Sequence, residues 1–183
     1  MSTNLEQKNF FRECLYTALM DLMNKKSIDK IGIGELCSKA GVSRMTYYRN
    51  YRSKEDILAQ HLSECYERFV ESLRVEEELD LDKICLCYFT FVKSEQDFFV
   101  RLVRSRLGVI FVEELGKYMG SVMDVFLPEI QLPYYIKSYI AGGFSKMSID
   151  WIMNGMDIPV ENMATMLTEF SAYFNNMSTR HNE

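Results

Sequence analysis

The stretch from Ile33 to Tyr51 does most to limit what this chain can fold into. Two short apolar-patterned segments, 33–40 and 43–48, are separated by a turn containing Gly41. A glycine suits the left-handed turn that ends a helix, because it has no Cβ to clash there. Ser43 then places a side-chain oxygen where it can cap a new helix. Leu36, Cys37, Ala40 and Val42 are apolar and can lock the two segments together, and Ala40 is small enough for close approach. The pattern predicts two short helices meeting at a tight corner. They follow a longer helix over about Gln7–Asn24, in which Phe11, Leu15, Ala18 and Leu22 form one stripe.

The rest of the chain continues in the same helical period. Ser53-Lys54-Glu55-Asp56 puts carboxylates in a first turn, where they complement the helix dipole, and Leu58, Leu62, Cys65, Phe69 and Leu73 line one face beyond it. Further helices are predicted over about 81–93, 95–106, 108–126, 134–154 and 160–175. Only three prolines and nine glycines occur in 183 residues, which argues against a turn-rich β architecture. The expected fold is all-α, with about nine helices. The expected division is a three-helix head over 1–52 and a helical body over 53–183, joined by the helix that begins at Ser53.

Charge is divided in the same way. Residues 1–54 hold ten basic and five acidic side chains, a balance of +5, against −5 for the whole chain. A positive end on an acidic protein suits a polyanionic partner. No apolar run approaches the ~20 residues that span a bilayer. We expect a cytoplasmic protein with no membrane partner. Cys14, Cys37, Cys65, Cys85 and Cys87 are odd in number and sit among apolar neighbours, as reduced thiols do. His61 and Cys65 share a helix face at i, i+4, but the sequence offers them no third ligand, so no metal and no cofactor are expected. Besides His61 there is only His181, and no nucleophile–base pair or phosphate-cradling loop is visible, so an enzyme is not expected.

Three short helices with a tight glycine turn between the last two make a helix-turn-helix. The third helix carries Arg44, Met45, Thr46, Tyr47, Tyr48 and Arg49. A helix in the major groove needs donors, acceptors and methyl-contacting groups. Arg44 can pair with guanine, Thr46 offers a hydroxyl and a methyl, and Tyr47 can lie against a base edge or sugar. Ser43, Tyr48 and Lys54 are placed to hold phosphates. For Tyr48 we expect the ring inward and the hydroxyl outward, and for Tyr51 a place in the core.

The run Ala40-Gly41-Val42-Ser43, then Tyr48, then Ser53-Lys54-Glu55 and Leu58, resembles the DNA-binding head of TetR-type bacterial regulators (the TetR/AcrR family). The resemblance covers residues 8–60 closely. It implies Ser43, Tyr48 and Lys54 as phosphate contacts, and Arg44, Thr46 and Tyr47 near the bases. Gly32 and Gly34 stand where the family often carries Thr or Ser, so a hydroxyl contact to phosphate is in doubt. Tyr51 replaces the usual Phe.

The resemblance also implies a homodimer on double-stranded DNA, most often as a repressor, with a small-molecule effector in the body. Candidate effector contacts are Tyr88, Phe89, Phe99, Val103, Phe111, Tyr118, Met119 and Met147, although aromatic and Met stripes more often form core. In the family the last two long helices pair with their copies. Tyr139, Gly142, Gly143, Trp151, Met163, Met166, Leu167, Phe170 and Phe174 are the candidate dimer contacts. The alternative is a relative that acts through protein contacts or ligand sensing without reading DNA.

Overall fold

The computed structural model describes residues 2–76, 78–126 and 132–179, with side chains described over 7–170. Within these residues the chain forms nine α-helices and one 3-10 turn. They are α1 Ser2–Met23, the 3-10 turn Ile28–Lys30, α2 Ile33–Ala40, α3 Arg44–Asn50, α4 Glu55–Leu73, α5 Leu81–Ser94, α6 Gln96–Arg104, α7 Gly108–Phe126, α8 Tyr134–Met153 and α9 Val160–Thr179. The all-α expectation holds. The spacing of Pro128 and Pro133 predicts a loop between them, and residues 127–131 lie outside the described ones.

The head forms as its local chemistry dictates. Gly41 takes φ 65°, in the left-handed region. The Val42 N–H then reaches back to the Cys37 carbonyl at 3.0 Å, which closes the end of α2. Ser43 Oγ accepts from the Thr46 N–H at 3.0 Å and so caps α3. Ser53 and Asp56 exchange hydrogen bonds at the start of α4. Asp56 Oδ2 accepts from the N–H groups of Arg52 (2.8 Å) and Ser53 (3.1 Å), and the Asp56 N–H donates to Ser53 Oγ at 3.2 Å.

One apolar core runs through the molecule. Leu15, Leu19, Ile31, Leu36 and Tyr47 fill it in the head, Ile57, Leu58 and Leu62 carry it along α4, and Phe89, Phe99, Phe111 and Trp151 fill it in the body. In the body α5 packs on α9, and α7 lies against α4 and α8. All five cysteines are free thiols. Among the described residues no helix is long and apolar enough to cross a membrane.

Candidate nucleic-acid interface

The seven residues of α3 make less than two helical turns, so such a helix holds its angle only if a side chain anchors it. Tyr47 is that anchor: it is fully buried, and its ring packs near Tyr51 and edge-on to Tyr48. Its hydroxyl is buried with no hydrogen-bond partner among the described residues. Burial, with Asp56 and Glu55 nearby, pushes the phenol up to about 12. This corrects the expectation that Tyr47 meets a base edge. Tyr48 is corrected the other way. Its ring lies on the outside, 62% exposed, rather than inward.

The outward face of α3 therefore carries Arg44, Met45, Tyr48 and Arg49, which share one side at i, i+1, i+4 and i+5. Met45 is 77% exposed. Thr46 is half-buried, with its hydroxyl 2.9 Å from Ser43 Oγ. Exposed Ser43 thus has its hydroxyl shared between the Thr46 backbone and side chain. Neither Arg44 nor Arg49 enters an ion pair among the described residues. By contrast, Lys26 is paired with Glu35 and Lys39 with Asp21. Among the described residues Arg44, Arg49 and Arg52, on or just after α3, are left out of ion pairs, as are Lys8, Lys25 and Lys30 elsewhere in the head, and open cations suit a polyanion.

Gly34 has a role that its residue type alone did not reveal. The Arg44 guanidinium lies across it so closely that an added Cβ would stand 2.2 Å from Nη2. The glycine read from sequence as a missing hydroxyl leaves the space in which the Arg44 guanidinium lies. Lys54 is likewise more than a surface cation. Its ammonium donates to the carbonyls of Ile28 (2.6 Å) and Ile31 (2.8 Å), tying the 3-10 turn to the start of α4. An ammonium has three donors, so these two bonds leave one.

The structure also sorts the candidate residues of the body. Tyr88, Phe89, Phe99 and Phe111 are buried and pack ring against ring. Phe89 meets Trp151 edge-on at 5.4 Å, and Phe99 meets Phe111 in the same way at the same distance. Tyr88 Oη lies 3.0 Å from Ser148 Oγ, and Tyr118 Oη lies 2.8 Å from Ser63 Oγ. Val103, Met119 and Met147 pack half-buried on the same core. These eight residues are brought together as packed core rather than as the lining of the described clefts. Two of those, of about 580 and 440 Å³, are lined instead mainly from α1 and α4 and from α1 and the α5–α6 junction.

Of the proposed dimer contacts, Trp151 and Met163 are buried within the protomer, which corrects their assignment to an outer face. The Trp151 indole donates to the Ile158 carbonyl at 2.9 Å. Tyr139, Met166 and Phe170 are exposed, and Leu167 is half-buried. Gly142 and Gly143 are exposed, with open space where a Cβ would stand. The Phe174 side chain lies outside the described residues.

Two family models match the chain. Residues 15–60 match the bacterial regulatory proteins of the tetR family, and residues 79–173 match a transcriptional regulator C-terminal region of the same family. The chain belongs to the TetR family of transcriptional regulators. Solved structures share the fold. Lin0861 from Listeria innocua is 17% identical with TM-score 0.78, covering 92% of each chain. The TetR family repressor AlkX from a Dietzia strain is 14% identical with TM-score 0.60, covering 90% of this chain and 95% of its own. The transcriptional regulator FadR from Bacillus subtilis, solved with stearoyl-CoA, is 15% identical with TM-score 0.54, covering 86% and 95%. No curated protein matched the sequence.

Proposed function

We propose that this TetR-family regulator is a DNA-binding repressor, and not an enzyme, that reads a palindromic operator as a homodimer in the cytoplasm. The observation that carries the reading is the outward face of α3, where Arg44 and Arg49 stand without ion-pair partners among the described residues, beside exposed Met45 and Tyr48. Arg44 is assigned to a guanine and Met45 to apolar contact with a thymine methyl. Ser43, Tyr48, Arg49 and the free Lys54 donor are assigned to phosphates, which set register. Thr46 stays near the bases, half-covered. The head over 1–52 would read DNA, and the body over 53–183 would pair the subunits.

Two copies must place their α3 helices about one turn of DNA, ~34 Å, apart. The surface of α8 and α9 with Tyr139, Gly142, Gly143, Met166, Leu167 and Phe170 is assigned to that pairing. Sedimentation of the full chain tests it, and the mass of a single protomer at micromolar concentration would contradict it. A repressing role is in keeping with the name of the AlkX neighbour, and effector control with the ligand complex of FadR. An effector shifts the heads only by binding one arrangement more tightly than another. Because Tyr88, Phe89, Phe99 and Phe111 fill their own space, it would have to select a state in which this core opens. The test of DNA reading is binding to operator and unrelated duplex across salt. Specific affinity that falls steeply with salt is expected; equal affinity for both duplexes would refute the reading.

A further inference from the structure

His61 and Cys65 stand one turn apart on α4, with His61 Nε2 3.4 Å from Cys65 Sγ. The sequence offered no third ligand, but the fold supplies one. Glu95, at the junction of α5 and α6, brings a carboxylate to the pair, and the three ligand atoms all lie within 4.8 Å of one another. A zinc-type ion takes sulfur at roughly 2.3 Å and imidazole nitrogen at roughly 2.0 Å, so at a tetrahedral angle the two ligand atoms sit about 3.5 Å apart. The His61–Cys65 spacing already matches that edge, and the carboxylate needs to close by about 1 Å.

A cationic group already occupies the place beside these ligands. Arg68 Nη2 donates to Cys65 Sγ and to Glu95 Oε1, both at 3.2 Å. The Arg68 side chain is 57% exposed, so it can swing to solvent at little cost. We propose that His61, Cys65 and Glu95 form a binding site for a divalent zinc-type ion, with Arg68 as the cation that stands aside when the ion enters. Three protein ligands of nitrogen, sulfur and oxygen leave a fourth position for water.

The surroundings suit this use. The His61 ring is held by stacking on Tyr16, with centroids 3.6 Å apart, and by the edge of Phe98 at 4.8 Å. The entering ion would replace the Cys65 thiol proton, which leaves to solvent. His61 lines the cleft of about 580 Å³ and Glu95 the cleft of about 440 Å³, with Tyr16 on both, so two of the three ligands border open space while Cys65 is buried. The bound ion would join α4, the helix that leads out of the head, to the α5–α6 junction.

The test is titration of the purified, reduced full chain with Co²⁺ as the spectroscopic probe. One ion per protomer is expected, with a thiolate-to-cobalt charge-transfer band and visible bands of tetrahedral strength. Cys65→Ser should remove the charge-transfer band, while Cys14→Ser and Cys87→Ser keep it. Glu95→Gln should weaken binding by more than about tenfold, a scale reached even by outer-shell changes. Arg68→Ala should tighten it, an effect that loss of a merely structural ion pair would not produce. These last two substitutions lie outside the core, so they decide the matter even if Cys65→Ser fails to fold. No band in the wild type, a band that survives Cys65→Ser, or weaker binding in Arg68→Ala would overturn the proposal. The readout is independent of whether the chain reads DNA.

Discussion

Gly34→Ala should damage DNA reading without damaging the fold. The added Cβ would stand 2.2 Å from Arg44 Nη2, 3.0 Å from Cζ and 3.3 Å from Nε. Carbon and nitrogen atoms pack comfortably at about 3.5 Å or more, so the guanidinium must move by over about 1 Å. The backbone does not resist the change, because Gly34 lies in α2 and has no left-handed φ. Replacing a helical glycine by alanine stabilises by about 0.5–1 kcal/mol. If Arg44 reads DNA as proposed, the DNA side should lose more. A displaced bidentate arginine–guanine contact costs about 1–3 kcal/mol of discrimination, or roughly 5- to 150-fold at each half-site. The assay is fluorescence anisotropy on the selected operator and on a duplex altered at the Arg44 position, with a thermal melt alongside. We expect discrimination to fall while the melting temperature holds or rises. In an Arg44→Ala background the glycine change should have no further effect on discrimination, because the two act through one contact. Unchanged discrimination in Gly34→Ala, or an equal loss in both backgrounds, would refute the reasoning.

Three further outcomes follow from the head. Tyr47→Phe removes a buried hydroxyl that has no partner among the described residues, so stability should hold or rise by up to about 1 kcal/mol with operator affinity unchanged; loss of affinity in gel shift would return Tyr47 to the interface. Lys54→Met removes two charge-assisted bonds to the Ile28 and Ile31 carbonyls and should cost about 1.5–3 kcal/mol in denaturant unfolding, a loss that a pure phosphate contact would not show. At Asp56 burial works to raise the carboxyl, but the N–H groups of Arg52 and Ser53 outweigh it and hold the pKa below the usual carboxylate range. Because the folded pKa is the lower one, the stabilisation is present above the unfolded value of about 4 and is lost as pH falls through the folded one. Asp56→Asn should therefore flatten that part of the acid unfolding curve and lower stability at neutral pH; an unchanged acid limb would contradict this.

The head was legible in sequence because its signals are local. Gly41 ends α2 and Ser43 caps α3 by chemistry that acts within a few residues, and the structure places both where the pattern did. What the sequence could not separate were neighbours whose fates depend on the packing of whole helices. Tyr47 and Tyr48 are both aromatic on a helix shorter than two turns. Which one turns inward is set by the angle at which α3 meets α2, and that angle is a tertiary property. Trp151 and Met163 belong to helices apolar on more than one side, so periodicity could not say which side faces the protomer. Gly34 gives no pattern at all, since its importance lies in the atoms of Arg44 ten residues later. Glu95 meets His61 and Cys65 only because α5 folds back against α4, a closure that no local spacing announces.

The central claim is that the outward face of α3 reads base sequence. Its most direct test is selection of binding sites from random duplex DNA by the full chain, with Arg44→Ala selected in parallel. The wild type should select a palindromic site, with half-sites one helical turn apart. Arg44→Ala should lose preference at one guanine in each half-site and keep the rest. Failure to enrich any sequence, or an Arg44→Ala site identical to the wild type, would contradict the claim.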